Sequence, residues 1–458
     1  MALRLEIRDP IHGFIHREPH EEDIIDTALF QRLRKIKQLA LATLVYPGAV
    51  HTRFDHSVGA FHIAGRIAGR HLHSESERRI VRLAALLHDI GHGPFSHVSE
   101  EILRKFAVLE RLQLKPGQQV HEHLTAQIIR TSPELRRLIG EKEPEQIVGL
   151  LEGTWGDSIL KAIISGPLDV DKQDYLLRDS HFCGVKYGVY DLDRLTETLQ
   201  VHEDGEDKFL GLSGGGIHAL EQFVLAKYYM TTQVYRHRVR LITDAMIVRG
   251  ISLGIESDKI DWLKDLYSYD GSEQYIFNYL TWDDERLTTR LLDRDTPDGY
   301  AKGFFKRLAE RRLLKRIFSG RPTDFKDPEI RKRVFEASDT FLKALEEQVA
   351  NKYSFDKNLV IAQPVSLKSV RAQTSEGEII VLHPDGARPF HEESALFRSI
   401  DEAIREQYLE VYAPVEYADE KQKKRKRREF HSEIILLIEG LAGESNVFQS
   451  GESAGGGE

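Results

Sequence analysis

The sequence has one cysteine in 458 residues, so a disulfide framework within one chain is excluded, and Cys183 suits a reducing compartment. It has no apolar run long enough to span a bilayer, and its start, Met1-Ala2-Leu3-Arg4-Leu5-Glu6, lacks the apolar stretch of a secretory signal. It also lacks positive charge overall. A formal net charge of −9 argues against a surface that coats DNA and leaves any attraction for phosphates local to a pocket. No internal repeat is present. These absences predict a soluble cytoplasmic protein with no membrane contact. What the chain does have is material for a core, 41% hydrophobic residues over a length that allows two or three domains.

Histidine is unevenly distributed: thirteen of 20 fall at or before His123, which concentrates the chemistry in the first third. The densest stretch is His88-Asp89-Ile90-Gly91-His92-Gly93-Pro94-Phe95-Ser96-His97. It follows Ile80 to Leu87, whose apolar residues recur at helical spacing. His88 and Asp89 therefore end a buried helix as adjacent ligands for one cation, with His92 one turn later. Gly91 and Gly93 release the chain, Pro94 stops the helix from resuming, and the turn brings His97 back. Three imidazoles and a carboxylate in ten residues have the composition of a metal-assisted phosphoryl site.

Companions decide whether that reading holds. His56 opens a helical, small-residue-rich segment through Gly69. Downstream, Gly166-Pro167-Leu168-Asp169 leads into a segment in which Asp171, Tyr175, Arg178 and Asp179 share a helix face, with Lys172 at its edge. Taken singly, each signal has a plain structural reading. Asp169, Asp171 and Asp174 could cap a helix, His62 and His71 could be satisfied core residues, and the histidine run could hold a structural zinc ion. A closed structural site needs no arginine, lysine and tyrosine gathered around it.

Further matching residues are Arg8-Asp9-Pro10-Ile11-His12-Gly13, Phe30-Gln31-Arg32-Leu33-Arg34, Ile36-Lys37-Gln38-Leu39, His51 to Ser57, and His121-Glu122. In this order, over roughly residues 5 to 250, the H…HD…D pattern resembles the HD-domain phosphohydrolase superfamily. More narrowly, it is similar to the dNTP triphosphohydrolases of the SAM-and-HD-domain family and their bacterial relatives, here without a preceding SAM-like module. The resemblance implies that His56, His88, Asp89 and Asp171 hold one Fe, Mn, Zn or Ni ion, with Mg accompanying the nucleotide. It implies attack of a metal-activated hydroxide on the α-phosphorus, so that dNTP and water give a deoxynucleoside and intact triphosphate.

His92, His97 and His121 would contact the α-phosphate region, with His97 as the general acid for the departing 5′ oxygen. Glu100 could hold His97 protonated, and Glu122 could do so for His121. Arg53 and Lys172 would neutralise the β and γ phosphates. By resemblance, Gln38, Tyr175, Asp179 and Tyr235 surround the sugar, Tyr235 leaving no room for a ribose hydroxyl. Lys227 and Thr231 stand where the animal members carry arginine and histidine. Asp26, Gln31 and Arg34 match a regulatory guanine-nucleotide site of the animal enzymes, where a nucleotide activator would bind. Leu5 falls at that site's phosphate-binding lysine. The family also forms dimers and tetramers, so a homodimer or homotetramer is expected.

The predicted architecture is mainly α: an HD-domain helical core over 1–320, a small α+β C-terminal subdomain over 321–445, and a disordered tail over 446–458. Strand-like runs at 359–362, 379–382 and 409–411 flank a helix over 394–407, and 285–314 reads as helical. Lys421 and the run Lys423 to Arg428 put seven cations in eight positions. That run reads as a solvated helix face or as a weak single-stranded nucleic-acid patch, though Phe430 is its lone aromatic. Two rival functions are an HD-type nucleotide phosphatase or phosphodiesterase and a single-stranded nucleic-acid-binding protein.

Overall fold

Helices carry most of the computed structural model, which describes residues 5–204, 207–336, 338–367, 373–374, 377–398 and 406–443. The protein is mainly α, with small sheets inserted between helices. No helix among the described residues is long and apolar enough to cross a membrane.

The chain divides into two compact units, each discontinuous in sequence. One comprises residues 1–240, 254–297 and 370–402, the other residues 241–253, 298–369 and 403–458. In the first unit the Arg53–His71 helix packs against the Glu75–Leu87 and Val170–Cys183 helices. Local sequence starts each of them. The Asp55 carboxylate accepts from the Thr52 N–H at 2.8 Å, the Ser74 hydroxyl from the Glu77 N–H at 3.3 Å, and the Asp169 carboxylate from the Lys172 N–H at 2.8 Å. Phe61, Leu83, Leu86 and Leu176 fill the space between these helices and are fully buried.

The same unit contains a four-stranded sheet in the order Gly386–Pro389, Ile380–His383, Asp207–Ser213, Leu199–Asp204. Leu212 pairs with Val381 in the parallel sense, while the outer pairs are antiparallel. The second unit has an antiparallel sheet of Lys315–Gly320, Glu406–Ala413 and Ile361–Leu367. It buries Phe318, Phe325 and Phe341 together with Phe430, Ile434 and Ile438 of the Glu420–Gly443 helix. The seven cations occupy the first turns of that helix, where Lys423 pairs with Glu420 at 2.6 Å.

The division therefore differs from a single cut at residue 320. The 379–382 run joins the 199–213 hairpin and not the C-terminal sheet, because a sheet edge selects its partner by register and burial, which local composition does not encode. The 285–314 segment forms two helices, Asp284–Leu292 and Tyr300–Ala309, interrupted where Pro297 and Gly299 intervene. Of the helix expected over 394–407, Ala395–Arg398 is helical and Gln407 lies in a strand. The tail expected at 446–458 lies outside the described residues.

Candidate metal centre

Four donors converge at the junction of three helix ends in the first unit. His56 lies on the first turn of the Arg53–His71 helix, His88 caps the C-terminus of the Glu75–Leu87 helix, and Asp171 is the second residue of the Val170–Cys183 helix. His56 Nε2 is 3.2 Å from His88 Nε2 and 2.9 Å from an Asp171 oxygen. Asp89 oxygens lie 3.4 Å from His88 Nε2 and 3.7 Å from His56 Nε2. One ligand atom each from His56, His88 and Asp171 falls within 4.8 Å of the others, a spacing that could hold a metal ion. His56 and Asp89 are buried, whereas Asp171 and His88 are partly open, which leaves one side accessible.

The chemistry of the donor set fits a cation. His56 Nδ1 faces an Asp174 oxygen at 2.8 Å and His88 Nδ1 faces the Ala85 carbonyl at 2.8 Å. Each Nδ1 is thereby the proton-bearing nitrogen, and both Nε2 lone pairs point to the centre. Burial works against a charge on His56, yet the bonds from Asp171 and Asp174 outweigh it and push its pKa up to about 10. Two imidazole lone pairs beside the Asp89 and Asp171 carboxylates form a donor set that suits a divalent ion.

Asp174 anchors a network that the sequence reading treated as capping. Asp169 is the cap. Asp174 instead accepts from His12 Nε2 at 2.6 Å and from Arg178 Nε and Nη2 at 2.8 and 2.9 Å, while Arg178 Nη1 donates to Asp9 at 2.8 Å. Burial opposes ionisation of Asp174, but Arg178, His12 and His56 hold its carboxyl well below the usual range. The signal was present as spacing: Asp174 stands three residues after Asp171 and four before Arg178, so one helix carries a ligand, the orienting carboxylate and its guanidinium partner. No room is left beside it, since a Cβ on Gly59 would overlap Asp174 and Arg178.

On one side lies a cationic and imidazole-rich wall. Arg53 donates to Asp89 at 2.7 Å and to Ser96 Oγ at 3.0 Å, and its Nη2 has no hydrogen-bond partner among the described residues. Burial disfavours the Asp89 charge, but Arg53, His88 and His92 keep its carboxyl well below the usual range. His92 stacks on His121 with centroids 4.0 Å apart and meets His97 edge-on at 5.1 Å. The protein mass around His92 and His97, then the Arg53 charge, push both pKa values down.

Two pairings expected here are corrected. Glu100 bonds His121 Nδ1 at 2.9 Å, together with the Val120 and His121 N–H groups and Arg104, and not His97. His97 begins the helix on which Glu100 sits, and the carboxylate extends to the start of the neighbouring Val120–Thr131 helix. Burial opposes it, but these bonds, that of His121 foremost, bring the Glu100 carboxyl down to about 2. Glu122 is exposed and accepts from the Gln119 N–H at 2.9 Å, because the third position of a helix favours that capping bond.

On the other side, Tyr175 lies between His56, at 6.4 Å, and Tyr235, at 6.1 Å between centroids. Tyr235 closes a π-helical turn, Met230–Tyr235, and donates to Asp179 at 2.7 Å. The second Asp179 oxygen is 2.7 Å from Nε2 of His51, a residue not assigned to the site from sequence, which stacks on Phe182. Gln38 is buried and its main-chain N–H donates to the His51 carbonyl at 3.1 Å, while its Oε1 has no partner among the described residues. Lys172 is buried against the Asp169 carboxylate and the Gly166 carbonyl. Lys227 is half-buried on the last turn before Tyr235. Apart from these, Arg34 donates to Gln31 at 2.8 Å and lies over the Phe54 ring, and exposed Asp26 caps the preceding helix.

Comparison with known proteins gives a consistent picture. The HD domain profile matches residues 53–178, and that of the HD associated region matches residues 190–431. An uncharacterized protein of Methanocaldococcus jannaschii is 37% identical over 291 residues, 62% of this chain and 58% of that one. The human deoxynucleoside triphosphate triphosphohydrolase SAMHD1 is 31% identical over 358 residues, 69% of this chain and 55% of that one. The chain thus spans little more than half the length of these curated relatives. Among solved structures, a hypothetical protein from Aquifex aeolicus superposes with a TM-score of 0.69 at 30% identity, covering 93% of this chain and 100% of its own. A phosphohydrolase from Bacteroides thetaiotaomicron gives 0.71 at 25% identity, covering 89% and 99%.

Proposed function

Since the chain belongs to the HD-domain family, with the HD-associated region following its HD domain, we propose that it is a metal-dependent dNTP triphosphohydrolase, releasing a deoxynucleoside and intact triphosphate. One observation carries the reading: the centre of His56, His88, Asp89 and Asp171 is bordered through Asp89 by Arg53 and His92, with His97 and His121 behind them, and through His56 by Tyr175, with Tyr235 and Asp179 beyond it. Groups suited to an anion and groups suited to a sugar thus adjoin a single centre, which supports the reading.

A divalent ion held by His56, His88, Asp89 and Asp171 supplies Lewis-acid polarisation of phosphate and activation of water. The chain does the rest. Arg53 braces Asp89 and supplies guanidinium charge to the triphosphate. His97, neutral in the free protein, gains a proton as phosphate charge arrives beside it and delivers it to the 5′ oxygen. Glu100 orients His121 in the same wall. Lys172 and Lys227 contribute charge to the β and γ phosphates. Burial, then the Asp179 charge, keeps the Tyr235 hydroxyl protonated, so it remains a donor. Its ring fills the space a ribose 2′ hydroxyl needs.

The deciding experiment incubates purified protein with each dNTP, with and without GTP, in Mg and in Mn, and resolves the phosphate products by chromatography. Intact triphosphate is expected. Orthophosphate or pyrophosphate would overturn the reading. Activity that appears only with added GTP would assign an activator role to Asp26, Gln31 and Arg34. Tyr235→Ala is expected to raise kcat/KM for GTP relative to dGTP about tenfold or more, measured by competing the two substrates. Glu100→Gln is expected to lower turnover about tenfold with bound metal unchanged, because it removes the charge of a charge-assisted bond to His121.

A further inference from the structure

The loop between Asp89 and His97 does not hold its own shape. Phe95 and Ser96 have φ values of 63° and 56°, two successive side-chain-bearing residues in the left-handed region. Such a pair persists only where the surroundings over-determine it. His97 follows at once as the first residue of its helix.

The constraint comes from a segment almost two hundred residues away. Asp284 accepts from the Phe95 N–H at 2.7 Å and, through its other oxygen, from the Lys37 N–H at 3.0 Å. Lys37 in turn forms a bridge with Thr52, beside Arg53. Ser96 Oγ donates to the Lys37 carbonyl at 2.6 Å and accepts from Arg53 Nε at 3.0 Å. One buried carboxylate therefore ties together the segments that lead to Gln38 and His97, and through Lys37 and Ser96 the tie extends to Arg53. Capping does not explain it. Asp283 is the N-cap of the Asp284–Leu292 helix and accepts from the Arg286 N–H at 2.8 Å, which leaves Asp284 free to face the other way. The same segment grips the loop again: Tyr279 Oη donates to the Gly91 carbonyl at 3.1 Å, in a space that a Cβ on Gly93 would occupy. Buried Arg32 donates to the Trp282 carbonyl at 2.8 Å and steadies the segment from behind.

We propose that residues 279–284 clamp the catalytic loop and that Asp284 is a positioning residue, setting the aim of Arg53 and His97 without touching substrate. The kinetic part rests on the hydrolase reading above; the structural part does not. Asp284→Asn keeps one acceptor and sets an amide N–H against the other main-chain N–H. Hydrogen exchange in peptides covering 90–97 is expected to accelerate about tenfold or more, with the Arg53–His71 helix unaffected. In the same variant kcat for dNTP is expected to fall about 100-fold, with KM and bound metal near wild type. Tyr279→Phe, which keeps its ring in the core, is expected to move exchange and kcat the same way to a smaller extent, and it carries the test alone if Asp284→Asn does not fold.

Exchange over 90–97 that stays at the wild-type rate overturns the clamp. So does a loss of kcat that merely tracks loss of metal or of folded protein. If wild-type protein hydrolyses no dNTP, the functional reading fails and the exchange result still decides the clamp.

Discussion

Asp171→Ala protein is expected to lose its bound metal and with it about 10³-fold or more of dNTP turnover, while remaining folded. Asp171 is partly open, so its truncation leaves no closed cavity, and buried His56 Nε2, which loses one partner, keeps Asp89 at 3.7 Å. What disappears is one of four donors and the carboxylate nearest His56 Nε2, at 2.9 Å. Metal catalysis contributes several kcal/mol of transition-state stabilisation, and each 1.4 kcal/mol is a factor of ten in rate. Elemental analysis of metal per chain, read beside triphosphate release, checks the result. Full metal content and full hydrolysis in this variant would mean that the centre lies elsewhere.

Asp174→Asn is expected to do harm by a different route: metal affinity 10- to 100-fold weaker, of the order that loss of a partner behind a ligating histidine costs, and a fold less stable by about 3–5 kcal/mol. The asparagine still reaches His56 but no longer neutralises Arg178, which is fully buried and is left, among the described residues, with Asp9 as its counter-ion. Metal titration and thermal unfolding separate the two effects. At saturating metal, turnover should recover in Asp174→Asn and not in Asp171→Ala. That contrast distinguishes a residue that aims a ligand from one that is a ligand.

Much of this centre was legible in the chain because its parts lie at helix ends whose signals are local. His88-Asp89 stands where an apolar periodicity stops, His56 sits one turn after a capping pair, and Asp171 follows the cap Asp169. The fold class was legible for the same reason, since helical periodicity is short-range. Partnerships between segments were not. Spacing alone assigns Glu100 to His97, and the approach of the Val120–Thr131 helix decides for His121. Asp174 looked like a second cap because short-range statistics favour that role. Asp284 is 189 residues from the backbone it holds, and His51 meets Asp179 across 128. Contacts of that separation depend on packing, which leaves no mark in spacing.

The strand Asp207–Ser213 receives its parallel neighbour from Ile380–His383. At about 5–20 residues per second of synthesis, roughly ten to thirty seconds separate the emergence of the two strands from a ribosome. Through that interval the Asp207–Ser213 edge, later covered, stands unpaired, a template for any passing strand. Crowded translation and mild heat should therefore be met first as a problem of yield, with chaperone demand concentrated on nascent chains rather than on finished enzyme.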